Sequence, residues 1–67
     1  MEKTIRVEGM MCEHCEARVR EALEGVRKVA SAAPDHTTDT VVLQLTGEVK
    51  EEKLKKAVEE AGYKYLG

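Results

Sequence analysis

Apolar residues recur at every second position in parts of this chain, which is the spacing of a half-buried β-strand. The clearest case runs from Thr40 to Thr46, where Val41, Leu43 and Leu45 share one face and their apolar density predicts a central strand. Pro34 lies in the preceding segment and cannot donate a hydrogen bond to a neighbour, so it predicts a strand at the sheet edge. Four strands are predicted in all, at residues Lys3–Glu8, Val29–Pro34, Thr40–Thr46 and Tyr63–Leu66.

Two other segments repeat their apolar residues at helical spacing. The first begins at about Cys12 and places Cys15, Val19 and Leu23 on one stripe; Gly25, a poor helix former, leaves its end undefined. The second runs from Lys50 to about Ala61, with Leu54, Ala57, Val58 and Ala61 on its buried stripe. Oppositely charged residues four apart predict ion pairs on the solvent faces: Glu16–Arg20, Arg20–Glu24, Glu51–Lys55 and Glu52–Lys56.

The predicted order of elements is strand, helix, strand, strand, helix, strand. This order predicts an α+β fold, the ferredoxin-like βαββαβ sandwich, in which two helices cover one face of a four-stranded antiparallel sheet. Residues 1–67 form a single domain in this interpretation. A chain of this size buries only about 60% of its surface, which leaves no room for a deep catalytic cleft.

Charge and hydropathy exclude two classes of partner. The net charge is −2, and the 36% of charged residues alternate in sign without a basic stripe, so no nucleic-acid partner is expected. No apolar run approaches the roughly 18 residues of a membrane span, so no membrane insertion is expected. No positively charged and apolar leader precedes the first strand, which predicts a cytoplasmic protein.

Both cysteines of the chain, Cys12 and Cys15, lie three residues apart where a helix is predicted to begin. That spacing brings both sulfurs to one side of the first turn, where the helix dipole favours the thiolate, which is the ligand form. Two soft thiolates suit Cu(I), which accepts low coordination, but they do not complete the four-ligand shell of structural zinc. With His36 in a distant turn, a closed shell would need two molecules. We therefore expect a monomer, or a homodimer bridged by metal.

The segment Gly9–Cys15 reads GMMCEHC, and Ala61-Gly62-Tyr63 lies near the end of the chain. This combination resembles the heavy-metal-associated (HMA) domain, whose pattern is GMxCxxC, and is most similar to bacterial copper chaperones of the CopZ type. The resemblance implies that Cys12 and Cys15 bind one Cu(I) and pass it by ligand exchange to a matching CxxC of a P-type copper ATPase. It also implies that Met10 packs beneath the loop, and that His14 and Tyr63 border the metal site.

Within this family, relatives that handle zinc or cadmium tend to carry an acidic residue before the first cysteine, where this chain has Met11. Mercury-binding relatives carry a leader before the first strand, and this sequence shows none. Both differences favour copper and leave Zn(II), Cd(II) and Hg(II) open. The chain departs from the family at Lys28-Val29, where Gly-Val is common at the start of the second strand.

Two alternatives share the same cysteine pair. The chain could be a metal-binding module of a copper-, zinc-, cadmium- or mercury-transporting ATPase, in place of a free-standing carrier. It could also be a thiol–disulfide redox protein, although the thioredoxin-like fold needs a longer chain and usually an aromatic residue beside the motif. A carrier that is not an enzyme is the interpretation that the sequence favours.

Overall fold

The computed structural model describes residues 1–67 and has the predicted order of elements. Its strands form one antiparallel sheet in the order β2-β3-β1-β4, with both helices packed on the same core, which confirms the ferredoxin-like fold. The elements are β1 (Glu2–Glu8), α1 (Glu13–Glu24), β2 (Val29–Asp35), β3 (Thr40–Leu45), α2 (Glu51–Glu60) and β4 (Lys64–Tyr65). No helix is both long enough and apolar enough to span a membrane.

The ends of α1 and β4 differ from the sequence prediction. The helix α1 begins at Glu13 because Cys12 has extended backbone angles (φ −162°, ψ 179°) and is the N-cap residue. The helix ends at Glu24 because Gly25 takes the C-cap position, where its amide bonds back to the last turn. The last strand is only the two residues Lys64–Tyr65, where four were predicted.

The core lies between the sheet and the two helices. As predicted, β3 is central, since it pairs with both β1 and β2, and Val41, Leu43 and Leu45 point inward. The helices contribute apolar stripes that include Val19 and Leu23 of α1 and Leu54 and Val58 of α2. No polar or charged residue is buried, so the core is held by aliphatic packing alone.

The strand β2 lies at the sheet edge, as Pro34 predicted, and the glutamates of α1 cover part of that edge. Glu24 Oε2 accepts a hydrogen bond from the Ala32 backbone N–H at 3.2 Å. Glu16 Oε2 accepts one from the His36 N–H at 2.7 Å. Between those two positions, Pro34 has no N–H to offer.

The prediction of four ion pairs along the helix faces is wrong, because none of the four forms in the structure. The structure has one side-chain ion pair, between His36 and Glu16, because the glutamates of α1 reach the edge of the sheet in preference to Arg20. In α2, Glu51 accepts a hydrogen bond from the Tyr65 hydroxyl at 2.8 Å. For Glu16, Glu24 and Glu51, a partner distant in sequence thus takes the place of the local one. The pair Glu52–Lys56 is also absent.

Lys28, which stands where glycine is common in the family, has an unusual backbone conformation. Lys28 has a positive φ of 75°, a conformation that glycine adopts without steric cost and other residues adopt with strain. Its carbonyl accepts a hydrogen bond from the Thr46 N–H at 2.8 Å, which fixes the backbone there. The strain lies at the turn between α1 and β2, away from the cysteines.

Candidate metal centre

The loop that leads from β1 to the cysteines depends on Gly9. This residue has a φ of +108°, which residues with a β-carbon rarely adopt. A β-carbon at this position would also lie 3.3 Å from Cδ1 of Tyr63. The missing side chain therefore permits the turn and makes room for the Tyr63 ring beneath the loop.

Replacing Gly9 by alanine is expected to destabilise the metal-free protein by about 1–3 kcal/mol, the usual range for a residue held in such a conformation. The close approach to the Tyr63 ring adds to the backbone strain. Urea denaturation of the reduced protein measures the change. Gly62→Ala is the matched control: its φ is +93°, but no atom lies within 4 Å of the new β-carbon. Equal losses in the two variants would mean that the contact with Tyr63 adds nothing.

The two cysteines occupy the beginning of α1 with different exposure. Cys12 is the exposed N-cap residue, and Cys15 lies in the first turn, half-buried against the core. Both thiols are free, with no disulfide between them. The Glu16 N–H donates to the Cys12 carbonyl at 3.1 Å and closes the turn that carries both sulfurs. Both sulfurs therefore lie on one turn at the start of the helix.

The Tyr63 side chain adjusts the acidity of the second cysteine. Hydrogen bonding with Tyr63 is the largest cause that lowers the pKa of Cys15 from 9.0 to about 7, followed by hydrogen bonding with the backbone of Met11. The same contact raises the pKa of Tyr63, because the hydroxyl must keep its proton to donate to the thiolate. The contact with Tyr63 therefore favours the thiolate form of Cys15 near neutral pH.

Changing Tyr63 to phenylalanine is expected to raise the pKa of Cys15 toward its ordinary value, so less thiolate is present at neutral pH. Ultraviolet absorbance of the thiolate, followed through a pH titration of the reduced metal-free protein, measures this. Because the folded-state pKa is the lower one, ionisation of Cys15 stabilises the fold fully above pH 9.0, and that contribution is lost as pH falls through about 7. The Tyr63→Phe variant should lose part of this pH dependence.

Tyr65→Phe is the control for that titration. It removes the other tyrosine hydroxyl of the chain, which bonds to Glu51 and not to a cysteine. The pKa of Cys15 should stay near 7 in this variant. A titration curve for Tyr63→Phe that overlays the curve for Tyr65→Phe would contradict the role given to the Tyr63 hydroxyl.

The remaining candidate residues lie at different depths. Met10 is 5% exposed and belongs to the core, which supports the packing role implied by the resemblance. Met11 is 82% exposed at the outer side of the loop. His14 is exposed on the first turn of α1, between the two cysteines in the chain. The structure thus brings Tyr63 to Cys15 and leaves His14 in solvent.

The donor set matches a small, soft ion. No group of three or more histidine, cysteine, aspartate or glutamate side chains is gathered in a way that could hold a metal. Two thiolates are too few for the tetrahedral shell of structural zinc, whereas Cu(I) accepts two soft ligands. The residues present therefore fit Cu(I) as a cargo that is bound and released.

A surface groove between the two helices is separate from the cysteines. It lies between α1 and α2, has a volume of about 1130 Å³, and is not lined by Cys12 or Cys15. The two free thiols lie instead at the loop before α1, where Cys12 is exposed. Most of the groove's charged side chains are basic: Arg18, Arg27, Lys28, Lys50, Lys53 and Lys56.

Sequence reasoning missed the contact between His36 and Glu16. Hydrogen bonding from the His36 backbone is the largest cause that lowers the pKa of Glu16, and hydrogen bonding with Glu16 raises the pKa of His36. The two residues are twenty positions apart, so no local spacing rule pairs them. In the sequence, the only feature that pointed toward this contact was the predicted edge position of the strand Val29–Pro34, which ends close to His36.

Comparison with known proteins places this site in a family. The sequence profile of the heavy-metal-associated domain matches residues 4–64. The copper chaperone CopZ of Staphylococcus epidermidis is 40% identical over 63 residues, which cover 92% of this chain and 93% of that protein. A mercuric reductase of Acidithiobacillus ferrooxidans is 42% identical over 59 residues, but these are 88% of this chain and only 11% of the reductase.

Solved structures agree with the sequence comparison. A CopZ metallochaperone superposes with a TM-score of 0.90 at 31% identity, covering 98% of this chain and 100% of that one. The N-terminal domain of a potential copper-translocating P-type ATPase from Bacillus subtilis, in its Cu(I)-loaded state, gives a TM-score of 0.82 at 31% identity. The alignment covers 96% of this chain and 81% of that domain.

The fold and the cysteine pair thus define a small domain of the heavy-metal-associated type, and the mercuric reductase is matched over only 11% of its length. The chain belongs to the heavy-metal-associated domain family.

Proposed function

We propose that this chain is a cytoplasmic carrier of Cu(I) that delivers the ion to a matching CxxC site of a P-type copper ATPase. One observation carries the proposal: two free thiols occupy the exposed start of α1, and no third donor is gathered around them. The relatives named as copper chaperones and the copper ATPase domain with the same fold support the metal and the partner.

Capture of the ion uses the two cysteines unequally. Cys15 is half-buried with a lowered pKa, so its thiolate is available at neutral pH as a positioned ligand. Cys12 is exposed at the N-cap, where its side chain makes no capping hydrogen bond that would hold it away from the metal. Each thiol that is still protonated releases a proton when the ion binds.

Release follows from the same exposure. A thiolate of the partner attacks the bound Cu(I), which accepts a third sulfur before it loses one of its first two ligands. Cys12 is the ligand that leaves first in this scheme, because its side chain is exposed whereas Cys15 is packed against the core. The copper stays on sulfur throughout, so no free ion is released.

Competition with a Cu(I)-specific chelator tests the proposal on the reduced protein. One Cu(I) per chain, held far more tightly than micromolar, is the expected result, with Zn(II) binding weaker under the same conditions. Mixing the loaded protein with a purified copper ATPase domain should then move the ion at a rate that exceeds its spontaneous loss. Micromolar or weaker Cu(I) binding would sink the proposal, and turnover in an insulin-reduction assay would favour thiol–disulfide chemistry in its place.

A metal-binding module of a transporting ATPase is the second candidate, favoured by the superposition on the Bacillus subtilis ATPase domain. The chemistry at Cys12 and Cys15 is the same in both cases. The reading frame around this segment distinguishes a free-standing carrier from a module, because the reading frame of a module would continue into membrane-spanning segments. Light scattering of the loaded protein tests the expected monomer against a metal-bridged homodimer.

A further inference from the structure

Two contacts tie α1 to the edge of the sheet, one near each end of the helix. Glu16 binds the His36 N–H, and Glu24 binds the Ala32 N–H. Eight residues along a helix span about 12 Å. Four residues along an extended strand span about 13 Å. The two contacts therefore form together when α1 runs antiparallel to β2, and they fix the helix along the strand.

The contact near the cysteines is the stronger of the two. Besides its N–H at 2.7 Å, His36 places Nδ1 at 2.6 Å from the same Glu16 oxygen, whereas Ala32 offers a single N–H at 3.2 Å. The turn that holds His36 is itself ordered, because Asp35 Oδ1 accepts a hydrogen bond from the Thr37 N–H at 2.9 Å. An ordered turn thus presents two donors to one carboxylate.

Glu16 connects this contact with both metal ligands. It follows Cys15 directly in the chain, and its own N–H donates to the Cys12 carbonyl at 3.1 Å. The helix has no side chain that caps its N-terminus, where most helices use a serine, threonine or aspartate. The Glu16–His36 contact therefore supplies, from a distance, an anchor for the turn that carries the thiols.

The contact between Glu16 and His36 also controls where the negative charge of Glu16 lies relative to the cysteines. Two thiolates holding Cu(I) carry a net negative charge, and a neighbouring carboxylate opposes it. His36 holds the Glu16 carboxylate at the edge of β2, where two donors offset its charge. Without the His36 imidazole, the Glu16 carboxylate keeps only the backbone N–H of residue 36 as a partner and is held less firmly at the edge of β2.

We propose that His36 is a positioning residue for the metal-binding turn, acting through Glu16 to hold the two cysteines in their binding arrangement. The proposal rests on the proposed function of Cys12 and Cys15 as the Cu(I) site. It assigns a role to a residue that touches neither the metal nor its ligands.

The test compares weakening the contact near the cysteines with breaking the one at the far end of α1. Glu16→Ala removes both hydrogen bonds and should speed the loss of Cu(I) to a chelator by about tenfold, the low end of the range for residues that support metal ligands. His36→Ala leaves the backbone N–H of residue 36 in place and should speed the loss by a smaller factor. The double variant should lose Cu(I) no faster than Glu16→Ala alone. Glu24→Ala, which breaks only the contact with Ala32, should stay within about twofold of the unmodified protein. His36→Asn keeps a side-chain donor and should recover part of the loss.

A measurement without metal separates this proposal from the proposed function. Hydrogen exchange at the Glu16 amide, which is bonded to Cys12, should speed up in His36→Ala and stay unchanged in Glu24→Ala. If the unmodified protein binds Cu(I) weakly while this amide still responds to His36→Ala, the metal function fails and the anchoring of the turn stands. Equal effects of His36→Ala and Glu24→Ala in both assays, or no effect of His36→Ala in either, would overturn the positioning role.

Discussion

Replacing Cys15 by serine is expected to weaken Cu(I) binding by more than about 100-fold, the upper end of the range for residues that only support metal ligands. A serine hydroxyl is a hard donor that stays protonated at neutral pH, so the ion would keep one soft ligand of two. Competition with a Cu(I) chelator measures the loss. Thermal unfolding of the metal-free protein should change little, because serine matches cysteine in shape and Cys15 is only half-buried.

Cys12→Ser and Met11→Leu are the matched comparisons. Cys12→Ser should lose Cu(I) to a similar degree, since neither thiolate alone satisfies the ion. Met11→Leu removes the only other exposed sulfur of the loop and keeps the size of the side chain. Its Cu(I) affinity should remain within about threefold of the unmodified protein if the thioether is not a ligand. A loss in Met11→Leu as large as in Cys15→Ser would show that the site has three sulfur ligands.

Leu43→Ala is expected to cost about 2–5 kcal/mol of stability, the range for a fully buried leucine. Leu43 has no exposed surface, lies in the central strand and belongs to the core that residues of both helices complete. A small domain has a total free energy of unfolding of about 5–15 kcal/mol, so this single change removes a large part of it. Urea denaturation of the reduced metal-free protein should show a lower midpoint, and a fraction of the variant should be unfolded without denaturant at raised temperature.

The neighbouring Val42→Ala is the control for the core variant. Val42 lies one position along the same strand, so its side chain points to the opposite face of the sheet and is only half-buried. Its replacement should cost about 1 kcal/mol or less, the span of strand propensities. Equal losses at the two positions would contradict the assignment of the core to one face of the sheet.

Patterning predicted the fold because the apolar positions of this chain form a single core. Alternation placed Val41, Leu43 and Leu45 on one face of β3, and helical spacing placed Leu54 and Val58 on one stripe, and all five are buried. The edge position of β2 was predictable from Pro34 for a steric reason. The length of β4 was not predictable from alternation: only Lys64 and Tyr65 form the strand, although Leu66 and Gly67 also share backbone hydrogen bonds with Arg6 of β1.

The candidate site was predictable only as far as its residues are close in sequence. The spacing of Cys12 and Cys15 shows both thiols at one helix start, whereas nothing local shows that Tyr63 reaches Cys15. The resemblance to a known family indicated that Tyr63 borders the site. The structure gives the physical reason, because the missing side chain of Gly9 leaves room for the Tyr63 ring next to Cys15. The contact of His36 with Glu16 has no signal in spacing, because it depends on how β2 and α1 lie against each other.

The covered edge of β2 has a consequence for how copies of this chain meet. A strand of a second molecule that approached along residues 32–36 would find two N–H groups already bonded to glutamates and a proline between them. Exposed edges with free donors are the usual starting points for uncontrolled sheet extension and fibre formation. Along this edge of β2, two copies of the chain are therefore kept from joining their sheets into one.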